Sequence, residues 1–72
     1  MSTQTILRSN LEFKGFDYWD RAVYLHRQRK VYFCDVGNLG QNRLAELGEV
    51  YYKGYDFEGE PDSPVTVTDK EV

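Results

Sequence analysis

Short apolar runs separated by turn-forming segments occupy the stretch Leu11–Val36, which reads LEFKGFDYWDRAVYLHRQRKVYFCDV. Apolar and charged residues alternate over Leu11–Lys14, the period of two expected of a half-buried strand. Gly15 is predicted to end that strand, and the residues after it to form a corner. Ala22–Leu25 and Val31–Val36 are β-branched or aromatic runs on either side of a basic segment, a pattern that predicts a β-hairpin. This stretch therefore favours a small β-sheet.

The rest of the chain adds shorter elements to this sheet. RLAEL at 43–47 predicts one helical turn, because its two leucines are spaced three residues apart. Glu49–Lys53 and Val65–Thr68 predict strands, the second an edge strand because Pro64 precedes it. We expect a mainly β fold, an antiparallel meander of four or five strands with at most one short helix. Residues 1–9 would be a tail or an edge strand, 10–68 the single domain, and 69–72 a tail.

The size and composition of the chain decide how such a sheet could be stabilised. Seventy-two residues with a single cysteine cannot form an internal disulfide, so packing must hold the fold together. Aromatic residues make up 15% of the chain, enough large rings to build a core in a small domain. We predict that Trp19, Phe13, Phe33 and Phe57 form that core and that Cys34 is a buried, unreactive thiol.

The first ten residues, MSTQTILRSN, lack the basic start and apolar stretch of a signal peptide. No apolar run approaches the roughly 20 residues that span a bilayer. We therefore predict a cytoplasmic protein with no membrane partner, a compartment that also suits a lone reduced cysteine.

Charge is unevenly distributed along the chain. Residues 1–43 carry seven basic and four acidic groups, whereas residues 44–72 carry two basic and eight acidic ones. The segment Arg21–Lys30 contains no acid and could contact nucleic-acid phosphates, with two tyrosines stacking on bases. The residues of this hypothesis are Arg21, Arg27, Arg29, Lys30, Tyr24 and Tyr32. The net charge of −3 argues against it, so it is the alternative and a solvated hairpin is the simpler reading.

Carboxylates alternate along the acidic loop Asp56–Asp62, DFEGEPD. The spacing lacks the twelve-residue pattern of a calcium loop, so no metal site is predicted. The loop could simply be solvated, with Glu60 paired to Arg21 or Lys53. Alternatively, it could imitate phosphate charge and inhibit a partner with a basic surface.

We expect a protein partner, because the aromatic residues are too numerous for so small a core. Exposed tyrosines supply large, rigid contact area, and we assign this role to Tyr18, Tyr51, Tyr52 and Tyr55. Catalysis is not expected: His26 and Cys34 lack a third, orienting group, and no phosphate loop or metal cluster is present. We predict no enzyme activity, no cofactor and no small-molecule substrate.

Two segments carry a resemblance to a known group of proteins. The first comprises Phe13, Gly15, Phe16, Asp17, Trp19, Arg21, Val23 and Tyr24; the second is Phe57-x-Gly59-Glu60-Pro61-Asp62. Together they resemble small accessory domains of bacterial conjugative and other mobile elements, including those associated with large polyvalent proteins. The group often has proline where this chain has Ala22. The resemblance implies a mobile-element or plasmid accessory protein and supplies no catalytic residues.

Overall fold

The computed structural model describes residues 4–69, which form one six-stranded mixed sheet. The strands are β1 (Gln4–Leu7), β2 (Leu11–Phe16), β3 (Ala22–His26), β4 (Val31–Asp35), β5 (Glu49–Gly54) and β6 (Pro64–Thr68). Two 3₁₀ turns, Arg8–Asn10 and Leu44–Glu46, are the helical elements of this part of the chain. The predicted mainly β class is confirmed, and the helical turn predicted at 43–47 is the second 3₁₀ turn.

The sheet has more strands than the four or five predicted. Its spatial order is β1-β6-β5-β4-β3-β2, so β2 to β6 form the expected antiparallel meander. The sixth strand is β1, which pairs in parallel with β6 and places Ile6 opposite Val67. The strand after Pro64 was predicted to lie at an edge, and this prediction is wrong, because β6 lies between β1 and β5. Of the two options for residues 1–9, the structure therefore shows an edge strand at Gln4–Leu7. The sequence did not predict its parallel pairing, because four residues carry too little periodicity to reveal a distant partner.

Gly15 was predicted to end β2, and this prediction is wrong, because Gly15 lies inside the strand. The register between β2 and β3 shifts between Phe13 and Gly15, and the strand continues to Phe16. Gly15 has a φ of 135°, a conformation that L side chains rarely adopt. The glycine thus allows a bulge that bends the edge strand.

The predicted hairpin of β3 and β4 is confirmed, with Ala22 opposite Asp35 at one end and His26 opposite Val31 at the other. Its tip consists of the four residues 27–30. The His26 carbonyl accepts the Lys30 N–H at 2.8 Å, and Lys30 adopts a left-handed φ of 59°. Lysine thus occupies a conformation more usual for glycine.

One face of the sheet carries the main hydrophobic core. Tyr24 and Phe33 lie opposite each other at its centre, both fully buried, and the 36–48 segment covers them with Leu47. The Tyr24 hydroxyl donates to Asn42 Oδ1 at 3.0 Å and accepts the Arg43 N–H at 3.2 Å. Tyr24 therefore ties the covering segment to the sheet through its polar tip as well as its ring.

The opposite face is also covered, because Val23 and Cys34 are fully buried there. Phe57 lies over this face and makes an edge-on contact with Tyr32, with ring centroids 5.6 Å apart. Its ring tip lies 3.9 Å from the position that a Cβ would take at Gly15. The segment after β5 thus packs back over β4 and β2, and both faces of the central hairpin are covered.

Trp19 was predicted to be part of the core, and this prediction is wrong: its side chain is 59% exposed. Phe33 is fully buried as predicted, Phe13 packs against the core, and Phe57 is half-buried on the opposite face. Trp19 lies in the tight turn between β2 and β3, whose backbone hydrogen bonds project its side chain outward. Local turn geometry outweighs the hydrophobicity of the ring here.

A buried ion pair joins the β2–β3 turn to β5. Lys53 Nζ lies 2.6 Å from Asp17 Oδ2, and both side chains are fully shielded from solvent. Arg21 Nε contacts the same oxygen at 2.7 Å, whereas Glu60, the partner predicted for Arg21 or Lys53, takes part in no ion pair among residues 4–69. Lys53 has no partner residue in the β4–β5 register and lies at a bulge in β5, which places its ammonium group at this site.

We predict that Asp17→Asn lowers the free energy of unfolding by about 3–5 kcal/mol, because it leaves the Lys53 ammonium buried without a counter-charge. Asparagine retains an oxygen for the turn N–H groups, so the loss would report the charge. The double variant Asp17→Asn/Lys53→Met should recover much of the stability. Urea denaturation followed by circular dichroism measures both. An Asp17→Asn protein as stable as the wild type would contradict a structural role for the pair.

Candidate functional site

Three aromatic residues are exposed where β2 ends and the β2–β3 turn begins: Phe16, 41% exposed, Tyr18, 64% exposed, and Trp19, 59% exposed. We call these residues the aromatic corner. The Tyr18 and Trp19 rings are adjacent, with centroids 5.7 Å apart, and Phe16 makes an edge-on contact with Phe13 at 5.4 Å. Large apolar side chains grouped in this way are typical of a contact surface for another molecule.

Asp17 fixes the backbone of the aromatic corner. Its Oδ1 accepts the N–H groups of Trp19 at 2.9 Å and Arg21 at 3.0 Å, and its carbonyl accepts the Asp20 N–H at 2.9 Å. Burial alone would raise the pKa of this carboxyl, but hydrogen bonds from Lys53, Arg21 and Trp19 outweigh burial and hold the pKa at about 2. The stabilisation is complete above the ordinary value of 3.8 and is lost as the pH falls through about 2. Asp17 is therefore ionised at neutral pH and keeps its hydrogen bonds to the backbone of the corner.

The segment after β4 extends the apolar surface beside the corner. The Gly40 N–H donates to the Asp20 carbonyl, which brings this segment against the turn. Leu39 and Val36 are both exposed there. Arg43 contacts the buried Asp35 carboxylate at 3.0 Å and holds the base of the segment in place. Aliphatic side chains thus lie at the same end of the sheet as the aromatic corner.

The acidic loop Asp56–Asp62 lies on the other side of the corner. Glu58 Oε1 accepts the Tyr18 N–H at 3.1 Å, and Asp56 Oδ1 accepts the Glu58 N–H at 3.0 Å. A Cβ at Gly59 would lie only 2.6 Å from the Lys53 carbonyl oxygen, so glycine is needed for the loop to pack this closely. The loop and the corner form one continuous surface of rings and carboxylates.

The tyrosines predicted to contact a protein are not equally available. Tyr18 is part of the aromatic corner, and Tyr55 is 80% exposed at the start of the acidic loop segment. Tyr51 and Tyr52 are half-buried, and the Tyr52 ring packs against Phe33 with centroids 5.6 Å apart. Trp19 and Phe16 were not among the predicted contact residues, because large rings are usually buried.

The residues of the nucleic-acid hypothesis do not form one surface. Arg27, Arg29 and Lys30 are exposed at the hairpin tip, and Arg29 donates to Gln4 Oε1 at 3.2 Å. Arg21 lies at the other end of β3, roughly 20 Å from Arg27 at the usual rise of a strand, and its guanidinium contacts Asp17. This is a correction to the predicted set, since the basic tip consists of three residues without Arg21.

The two tyrosines of that hypothesis are corrected as well. Tyr24 is fully buried with its hydroxyl bonded to Asn42, so it cannot stack on a base. Tyr32 is half-buried and packs on Phe57. Alternation along β3 and β4 could not reveal this, because both faces of the sheet are covered.

A shallow groove adjoins the basic tip on the core side of the sheet. Arg27 lines it together with Arg8, Ser9 and Leu44. The Arg8 guanidinium donates to Asp69 and to the Leu47 carbonyl, so its charge already has a partner. The groove is open and its cations are partly neutralised.

His26 and Cys34 lie on opposite faces of the sheet. His26 packs near Phe33 in the core, and its Nδ1 accepts the Arg29 N–H at 3.1 Å. Cys34 lies opposite Val23 on the other face, and burial raises the pKa of its thiol to about 11. The predicted burial of Cys34 is confirmed, whereas His26 is a buried structural residue that shapes the hairpin tip.

No group of three or more His, Cys, Asp or Glu side chains arranged to hold a metal ion occurs within residues 4–69. In the same part of the chain, no helix has the length and apolar character needed to cross a bilayer. No family model, curated protein or solved structure matches this chain.

The histidine predicts a pH dependence of stability. Burial, followed by the charge of Arg29, lowers the pKa of His26 below 6.5, so the unfolded chain takes up this proton more readily than the folded one. Stability should be complete above the ordinary pKa and should fall as the pH drops below it. Urea midpoints at about pH 7.5 and about pH 5 measure this difference. His26→Gln should reduce it, and an identical pH dependence in the variant would contradict the assignment.

Cys34 predicts a clear labelling result. Because the thiol is fully buried and its pKa is raised to about 11, native protein should react with iodoacetamide far more slowly than protein unfolded in urea. Mass spectrometry of the two samples measures the modified fraction. Rapid labelling of the native protein would show that the thiol is accessible and would reopen thiol chemistry.

Proposed function

We propose that this chain is a small, non-catalytic accessory module that binds a protein partner through the aromatic corner. The observation that carries the proposal is the exposure of Phe16, Tyr18 and Trp19 at a turn whose backbone N–H groups donate to the Asp17 carboxylate. Tryptophan and tyrosine dominate the binding energy of protein interfaces. A rigid turn loses little conformational entropy on binding, which favours affinity.

The setting we propose is a bacterial mobile element, with the protein acting in the cytoplasm. The support is the resemblance carried by the segments 13–24 and 57–62. These two segments lie together in the structure, where Phe57 packs close to Gly15 and Glu58 accepts the Tyr18 N–H. The residues behind the resemblance therefore surround the proposed contact surface.

Nucleic-acid binding by the basic tip is the second candidate. Three exposed cations, Arg27, Arg29 and Lys30, lie together at the end of the sheet opposite the aromatic corner. Phosphates favour such a cluster. The hypothesis has lost Arg21 and the stacking ring of Tyr24, so protein binding is the better supported function.

A photo-crosslinking experiment tests the surface directly. The photoreactive residue p-benzoylphenylalanine would replace Tyr18 in the full chain, expressed in the cells that carry its gene. The matched position is Glu12, which is exposed near the far end of β2. We expect a discrete protein adduct from position 18 and none of the same mass from position 12. Equal adducts at both positions would contradict the proposed surface.

The partner identified by the adduct then allows an affinity measurement. We predict that Trp19→Ser weakens its binding at least about 30-fold, the effect of removing an interface hot spot of about 2 kcal/mol. Because the ring is mostly exposed, the free energy of unfolding of the variant should lie within about 0.5 kcal/mol of the wild-type value. Arg27→Gln/Arg29→Gln serves as the control and should bind normally. Two results would favour the basic tip as the binding site. One is that Arg27→Gln/Arg29→Gln loses partner binding while Trp19→Ser keeps it. The other is that the wild type binds DNA or RNA at low salt and Arg27→Gln/Arg29→Gln does not.

A further inference from the structure

The aromatic corner is surrounded by acidic groups whose charge is not balanced. Residues 16–21 and 53–62 contain six acidic and two basic side chains. Both cations, Arg21 and Lys53, contact Asp17. Asp20, Asp56 and Glu58 are exposed and take part in no ion pair within the described range 4–69. The surface around the rings is therefore negative.

Rings and carboxylates in this arrangement favour a cation. The faces of tryptophan and tyrosine attract ammonium and guanidinium groups, and the attraction grows when the pair is desolvated. A neighbouring carboxylate can bind the same guanidinium through two parallel hydrogen bonds. The chain already contains a contact between a cation and an aromatic ring beneath the acidic loop, where Lys53 Nζ lies 5.9 Å from the centre of the Phe57 ring.

We infer that the partner presents a basic, arginine-containing segment to this surface, with a guanidinium stacked on Trp19 or Tyr18 and its charge facing Asp20 and Glu58. The inference deepens the proposed function and rests on it. Charge complementarity selects this occupant, because the exposed carboxylates would repel nucleic acid and acidic peptides. A second copy of the chain, offering Arg27, Arg29 and Lys30, is a different occupant that the experiment separates.

The chain provides its own reporter, since Trp19 is the single tryptophan. The probes are the peptide acetyl-GRGRGRG-amide and its glutamate counterpart, acetyl-GEGEGEG-amide. We expect the arginine peptide to change the Trp19 fluorescence saturably and the glutamate peptide to leave it unchanged. Equal responses to the two peptides, or no saturable response to millimolar arginine peptide, would overturn the inference.

Two substitutions remove charge while keeping the local structure. Asp20 has a left-handed φ of 61°, which asparagine also adopts, and Glu58→Gln keeps the oxygen that accepts the Tyr18 N–H. We expect Asp20→Asn/Glu58→Gln to weaken arginine-peptide binding about tenfold, the factor that corresponds to 1.4 kcal/mol. The matched control is Glu12→Gln/Glu46→Gln, which removes two exposed charges away from the corner and should bind normally. Equal weakening in both variants would show a general charge effect and overturn the inference.

The same variants distinguish this inference from the proposed function. A natural partner that loses affinity with Trp19→Ser, but not with Asp20→Asn/Glu58→Gln, would leave the protein-binding function standing and refute the basic segment. A partner unaffected by Trp19→Ser would refute the proposed function itself. Sedimentation that shows self-association, abolished by Arg27→Gln/Arg29→Gln, would identify the occupant as a second copy and overturn the inference.

Discussion

The carboxylate of Asp17 holds the β2–β3 turn together and links it to β5. It accepts two turn N–H groups, the Arg21 guanidinium and the buried Lys53 ammonium. A buried lysine without a partner would be very costly, so the β2–β3 turn and β5 must approach each other for the sheet to form. The charge on Asp17 is therefore both a local organiser of the turn and a link between distant parts of the chain.

This arrangement determines what the surface can do. Arg21 and Lys53 both contact Asp17 beneath the turn, and within residues 4–69 the other carboxylates near the corner take part in no ion pair. Each backbone N–H from Asp17 to Arg21 donates a hydrogen bond, and the turn held in this way leaves Tyr18 and Trp19 exposed. Rigid support and exposed contact area thus come from the same short segment. The basic tip lies at the opposite end of the sheet, so the two charged surfaces are separate.

Much of the fold could be predicted from residue patterns. Alternation and β-branched runs located the hairpin of β3 and β4 to within a residue, and the apolar context of Cys34 predicted its burial. Prediction from sequence failed where a residue type is compatible with more than one local structure. Gly15 was expected to end a strand but forms a bulge, since permissive glycine suits both. The parallel pair of β1 and β6 joins the two ends of the described chain, and no local pattern specifies such a contact.

The mainly β class, the hairpin and the acidic character of the loop follow from local patterns, because strand propensity, alternation and charge are properties of short segments. The exposure of each ring and the pairing of each cation depend instead on contacts between segments that are distant along the chain. Tyr24 is buried because covering segments pack on both faces of the sheet. Trp19 is exposed because the turn held by Asp17 directs its indole away from those segments. Burial depends on what packs against a side chain, and that is set by residues far away in the sequence.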